Sequence, residues 1–188
     1  AGHCWLPCTC SQQTGICGWS KGTQPSGAGI AFRTEVNEIS PAIKPRTGSY
    51  LLKMFLPNNL VSTTGSGNKV NTYQQVYLEA GTTYVFSGYA NSSGMTTFGR
   101  DGGLSLSFQN SSGTDVAESN RLNYATSNQV ENGWTRLEVT YTPQTSGNYR
   151  VSANMKNAAK FAAFDDFQLE KVVIPAEDMP AEKQGVAS

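Results

Sequence analysis

Apolar and polar residues alternate with a period of two through most of this chain. Leu104, Leu106 and Phe108 alternate with Ser105, Ser107 and Gln109, and Val151, Ala153 and Met155 alternate with Arg150, Ser152, Asn154 and Lys156. Successive side chains of a strand point to opposite faces, so this pattern predicts strands with one buried face. Residues 51–55, 73–78, 84–91, 104–109, 135–141, 149–156 and 161–169 are each rich in aromatic or aliphatic residues. Between them lie turn-forming clusters such as Thr63-Thr64-Gly65-Ser66-Gly67-Asn68 and Pro143-Gln144-Thr145-Ser146-Gly147-Asn148, as strand punctuation requires. No part of this stretch carries a convincing apolar period of 3.6. Many short strands at this spacing predict an all-β fold, an antiparallel β-sandwich or jelly roll.

The pattern starts near residue 29 and stops near 170, which divides the chain into three. Residues 1–28 form a Cys-rich N-terminal extension, 29–170 the sandwich, and 171–188 a polar tail or linker containing Pro175 and Pro180. Such a tail implies attachment within a larger multidomain chain. All four cysteines, Cys4, Cys8, Cys10 and Cys17, lie in the extension. An even, closely spaced set in a Gly/Ser/Thr-rich chain points to two disulfides and an oxidising compartment, with three pairings open and Cys8–Cys10 the most strained. A zinc knot using His3 ranks second, because the spacing lacks a C-x2-C pair. A reactive thiol ranks third.

Composition narrows the chemistry. The 188 residues include 14 Lys+Arg and 14 Asp+Glu, only 15% charged in total, so no electrostatic footprint for nucleic acid or anionic lipid exists. Balanced charge also argues against strongly anionic polysaccharides such as heparin. No apolar run approaches the roughly 18 residues that a membrane-spanning helix needs, so membrane insertion is not expected. The single histidine, His3, leaves His-based triads one candidate base, in the extension. Asp101, Asp115, Glu118, Glu131, Glu138, Asp165 and Asp166 offer carboxylate pairs of the glycosidase kind. Most of them, however, sit beside Gly, Asn or Ser, where caps and solvated turns are the simpler assignment.

Four segments then stand in a familiar order: Thr47-Gly48-Ser49-Tyr50-Leu51-Leu52-Lys53, the run from Gln74 to Tyr89, Gly133-Trp134-Thr135-Arg136-Leu137-Glu138-Val139-Thr140-Tyr141-Thr142-Pro143, and Phe164-Asp165-Asp166-Phe167-Gln168-Leu169-Glu170. Across about residues 29–170 the chain resembles carbohydrate-binding modules of the family four, nine and twenty-two type. These are galactose-binding-like jelly rolls found beside bacterial glycoside hydrolases and in cell-surface repeat proteins. The resemblance implies a non-catalytic module that targets an attached protein to an oligo- or polysaccharide, secreted or at the cell surface. It also implies a structural calcium, with Asp165 and the backbone at Gly48 matching two parts of the family's site. The acid of the family's first strand has no counterpart here.

The pleat then places residues. With Val76 and Leu78 inward, Tyr73, Gln75 and Tyr77 point out; with Tyr84, Phe86, Gly88 and Ala90 inward, Tyr89 points out. An in-sheet hairpin through 79–83 would set Tyr73 opposite Tyr89 as a tyrosine platform, with Arg150 and Asn154 on a second outward-facing strand. Aromatic faces beside planar hydrogen-bonding groups suit pyranose rings. Loss of Tyr89 would then abolish glycan retention. Phe98 and Arg100, in a loop at 94–103, form a second candidate at the rim. The alternative function is a structural or adhesive jelly-roll module of a large bacterial surface protein with no sugar ligand. A small polysaccharide-cleaving enzyme is the third.

Overall fold

The computed structural model describes residues 18–123 and 133–173. The chain runs through β1 (Ser20–Lys21), β2 (Gly29–Arg33), β3 (Leu51–Leu56), a single 3-10 turn, β4 (Lys69–Leu78), β5 (Tyr84–Asn91), β6 (Met95–Gln109), β7 (Asp115–Glu118), β8 (Trp134–Tyr141) and β9 (Gly147–Lys171). All pairings are antiparallel. Residues 1–17 of the extension, with all four cysteines, and most of the polar tail lie outside the described residues.

The strand β9 is 25 residues long and organises the sandwich. Its first half pairs with β4 on one side and β6 on the other, and its second half with β3 and β5. One layer therefore reads β1-β4-β9-β6-β7 and the other β2-β3-β9-β5-β8, continuous through the bend in β9. The two segments expected at 149–156 and 161–169 are one strand. Ala158, Ala159, Ala162 and Ala163, all fully buried, keep the crossing narrow enough for neighbours on both sides.

Between the layers lies the core expected from the alternation, with Leu104, Leu106 and Phe108 of β6 facing Phe86, Phe164 and Phe167. In Phe164-Asp165-Asp166-Phe167 the two phenylalanines are three apart, yet both point inward. A bulge explains this: Ser87 pairs with Gln168 but Tyr89 with Asp165, and Asp166 takes a φ of 54°. The extra residue restores the inward face. Phe167 then stacks on Phe86 at 5.9 Å and meets Trp19 at 4.7 Å. A Cβ on Gly88 would stand 2.8 Å from that ring. Trp19 and β1 precede residue 28, so the sandwich takes in part of the stretch assigned to the extension. Trp19 sits in the main core.

The segment between β2 and β3 folds over the outer surface of the second layer. Val36 and Ile43 form a bridge and, with Leu51, Trp134 and Ala163, enclose a second, smaller apolar cluster. That covers one outer face. The outer face of the first layer carries the polar positions of β4, β6 and β9.

Candidate functional site

The register of the first layer sets its outward side chains in rows. Gln75 of β4 lies beside Arg150 of β9 and Gln109 of β6; Tyr73 beside Ser152 and Ser107; Asn71 beside Asn154 and Ser105; Lys69 beside Lys156 and Gly103. The pleat thus brings together Tyr73, Gln75, Tyr77, Arg150 and Asn154, as the alternation predicts. The Arg150 guanidinium lies over the Tyr73 ring, 4.0 Å from its centroid, a cation–π contact that keeps both groups in place. Gln75 is exposed, and Tyr77 is 65% exposed.

Tyr89 does not join them. The 79–83 connection arches from one layer to the other, so β4 pairs with β1 and β9 while β5 pairs with β8 and β9. The hairpin that would face Tyr73 with Tyr89 does not form. The arch is tied to the β8–β9 turn instead: Ala80 N–H donates to Ser146 Oγ at 2.8 Å and Gly81 N–H to the Pro143 carbonyl at 2.9 Å. Tyr84 Oη accepts the Glu79 N–H at 2.9 Å. Each strand edge serves one neighbour, and β9 occupies the edge through which β4 and β5 would have paired. Tyr89 packs in the smaller apolar cluster under the Arg46 guanidinium, 3.5 Å from its ring centroid.

Asn154 lies on the expected face but is fully buried. Its Nδ2 donates to Ser107 Oγ at 3.0 Å, and its Oδ1 accepts from Ser152 Oγ at 2.7 Å; Ser152 in turn accepts from Asn71 Nδ2 at 2.9 Å. Satisfied and sealed, this network stiffens the sheet and presents nothing to a ligand. The accessible strip is therefore Tyr73, Gln75, Tyr77 and Arg150.

Along β4 the strip leads to Lys69, about 26 Å from Tyr77 at the usual strand rise. There a cleft of about 700 Å³ opens, lined by Thr23, Lys69, Arg100, Asp101, Arg121 and Lys156 with the backbone of 65–68. Lys156 Nζ contacts Asp115 Oδ2 at 2.6 Å and Glu118 Oε2 at 2.9 Å, and Arg121 Nε contacts Glu118 Oε1 at 2.6 Å. Burial pushes the Asp115 and Glu118 carboxyls up, but these partners outweigh it and leave both below the ordinary carboxylate range. Phe98 and Arg100 stand in β6 itself, irregular between Phe98 and Gly103, rather than in a loop. Arg100 Nη1 donates to the Thr64 carbonyl at 3.1 Å.

Asn157 shapes this end of the molecule and was missed by the pattern of alternation. It is fully buried with a φ of 42°. Its Oδ1 accepts the Ser62 N–H at 2.7 Å, and its Nδ2 donates to the carbonyls of Ser62 at 2.8 Å and Arg100 at 2.9 Å. A Cβ on Gly67 would stand 1.8 Å from Asn157 Oδ1, so the glycine there lets the 61–68 loop close on the amide. The signal in the chain was the break in alternation at Asn157-Ala158-Ala159.

The calcium expectation meets a donor set of the wrong polarity. Asp165 Oδ2 accepts the N–H groups of Arg46 at 2.8 Å and Thr47 at 3.3 Å, and Asp165 Oδ1 accepts the Asp166 N–H at 2.9 Å. Asp166 receives Arg46 Nη1 at 2.9 Å and the Thr47 hydroxyl. Gly48, with φ of 64°, turns the chain just beyond these donors. Amide N–H groups point at the carboxylate where a hard cation would need oxygens, and the guanidinium supplies the positive charge. Burial, helped by Asp166, holds the Asp165 carboxyl above its ordinary range. Among the described residues no group of three or more His, Cys, Asp and Glu gathers where a metal ion could be held. The residues present do not fit calcium. The four cysteines and His3 lie outside the described residues.

No family model and no curated protein matches this chain. Solved structures do share its fold. An arabinose-bound α-L-arabinofuranosidase of the GH51 type is 18% identical with a TM-score of 0.54, over 84% of this chain and 23% of that one. The enzymatically active domain of tailspike protein 4 from bacteriophage CBA120 is 14% identical with a TM-score of 0.50, over 82% and 19%. This chain thus spans about a quarter or less of these two larger proteins. A xylan-binding domain from Paenibacillus barcinonensis is 13% identical with a TM-score of 0.47, over 84% of this chain and 88% of that one. At these identities the first two likenesses define a class of fold alone, the jelly-roll sandwich.

Proposed function

We propose that this chain is a non-catalytic carbohydrate-binding module that holds an attached protein on an extracellular oligo- or polysaccharide. The observation that carries this is the strip on the first layer, where the exposed Tyr77 ring, Gln75 and the Tyr73–Arg150 pair share one open face. Pyranose C–H groups stack on such rings while planar amide and guanidinium groups read hydroxyls. Affinity is modest, because sugar hydroxyls exchange good hydrogen bonds with water for similar ones with protein. The resemblance in the four ordered segments supports the same reading, and calcium has no part in it.

The test is affinity electrophoresis over a panel of plant and bacterial glycans, with and without chelator. Tyr77→Ala is expected to lower retention about tenfold, the weight of roughly 1.4 kcal/mol of stacking, with the melting temperature unchanged because the ring is exposed. Tyr89→Ala is the opposite control: it should retain the glycan yet lose about 3 kcal/mol of stability, since it empties packed volume beneath Arg46. Chelator should change neither property. Retention that survives in Tyr77→Ala, or vanishes in Tyr89→Ala, defeats this placement. Silence of the unaltered chain across the panel would favour the adhesive alternative.

A further inference from the structure

The cleft at the far end of the strip carries an uncompensated positive charge. Lys69 and Lys156 are directly opposed across the β4–β9 ladder with both side chains on the outward face. Like charges so placed repel. Lys156 is relieved by Asp115 and Glu118 on β7, and Arg121 by Glu118. The Lys69 side chain has neither hydrogen bond nor ion pair among the described residues. The Arg100 side chain, 65% exposed, comes only within 3.8 Å of Asp101, itself 83% exposed and turned largely to solvent. Among the described residues four cations and a single carboxylate, Asp101, therefore line the cleft, and Lys69 and Arg100 face it with little neutralisation from them.

From this we infer a substrate class: the cleft receives one carboxylate substituent, a uronic acid unit, of a glycan whose neutral backbone lies along Tyr73 and Tyr77. The inference rests on the carbohydrate-binding reading above. Arg100 offers a planar fork that matches a carboxylate, and Lys69 offers a point charge beside it. The cleft volume suits one sugar unit with its water, and the hydroxyl of Thr23 and the backbone of 65–68 supply polar walls for the remaining hydroxyls. The chain is neutral overall, so a sparsely acidic polymer fits better than a polyanion, whose further charges would meet Asp101, Asp115 and Glu118. Screening by salt weakens such an exposed contact.

The experiment compares 4-O-methylglucuronoxylan and polygalacturonate with their carboxyl-reduced forms in affinity electrophoresis, using the full chain, Lys69→Gln, Arg100→Gln and Tyr77→Ala. The unaltered chain should bind at least one acidic polymer about tenfold more tightly than its reduced form at low salt, and about 0.5 M NaCl should remove most of that difference. Lys69→Gln and Arg100→Gln should each shrink the acidic preference to about twofold while leaving binding to the reduced polymer intact. Tyr77→Ala should weaken both forms alike. Equal retention on acidic and reduced polymers, or an acidic preference untouched by Lys69→Gln and Arg100→Gln, overturns the uronate assignment and leaves the tyrosine strip standing. If neither form of either polymer is retained, the uronate assignment fails, and the neutral glycans of the panel decide the broader reading.

Discussion

Replacing Asn157 by Ala is expected to cost about 3 kcal/mol of stability, because three backbone groups lose their partner inside the protein. The Ser62 N–H and the carbonyls of Gly65 and Arg100 bond to this one carboxamide, as does the Ser62 carbonyl, which keeps the Arg100 N–H as a second partner. Alanine also tolerates a φ of 42° less well than asparagine, which enters the left-handed region readily. Asn157→Gly separates the two causes: it relieves the backbone and still orphans the three groups, so it should recover at most about 1 kcal/mol. Urea denaturation measures the loss, and limited proteolysis of the 61–68 loop reports whether the cleft wall has come free. A loss below about 1 kcal/mol for Asn157→Ala would mean that water replaces the amide and the pin is dispensable.

The second large effect is at Lys156. Its side chain is 11% exposed and contacts Asp115 and Glu118, which are themselves 25% and 21% exposed. Lys156→Met removes the charge that offsets their burial and leaves two carboxylates crowded on a covered sheet edge, with Arg121 answering only Glu118. A loss of about 2 kcal/mol at neutral pH is expected, less than for a fully buried pair because water reaches both acids. The pH dependence gives the sharper test. In the unaltered chain both carboxyls sit below their ordinary range. Their contribution is therefore complete above the unfolded values and is lost as the pH falls through the lower, folded ones. Once the pH has fallen below those lowered folded values the acids are protonated in both proteins, so the melting temperatures of variant and parent should converge. Asp165 works in the opposite sense, since its raised carboxyl costs stability once ionised, but it is common to both proteins and cancels from the difference. A gap between them that stayed constant from pH 7 to pH 3 would show that Lys156 acts by packing its stem alone.

Much of the fold was legible along the chain because burial on one face writes itself as alternation. The inward sets of β4, β5, β6 and the first half of β9 follow from it directly, whereas Trp134 shares the outward parity of Arg136 and Glu138 and is buried only because Val36 and Ile43 cover that face. Alternation failed where the backbone departs from an even pleat. The bulge at Asp166 keeps Phe164 and Phe167 on one side, and the φ of Asn157 with the run of alanines after it carries β9 between layers without ending it. Neither event changes composition, so each reads as a strand boundary or as nothing.

The candidate site divides in the same way. Tyr73, Gln75, Tyr77 and Arg150 were legible as one outward face because a strand's parity is a local property. Partnership was not. A five-residue connection at 79–83 serves a hairpin or an arch equally well, and the choice fell to competition for edges: β9 is long enough to pair with β4 in one layer and β5 in the other. That separated Tyr89 from Tyr73, sealed Asn154 within its serine neighbours, and set Lys69 against Lys156 over the cleft. By itself, the order of residues determined which side of each strand is wet. Only the tertiary structure decided which wet sides meet, because strand pairing depends on contacts far apart along the chain.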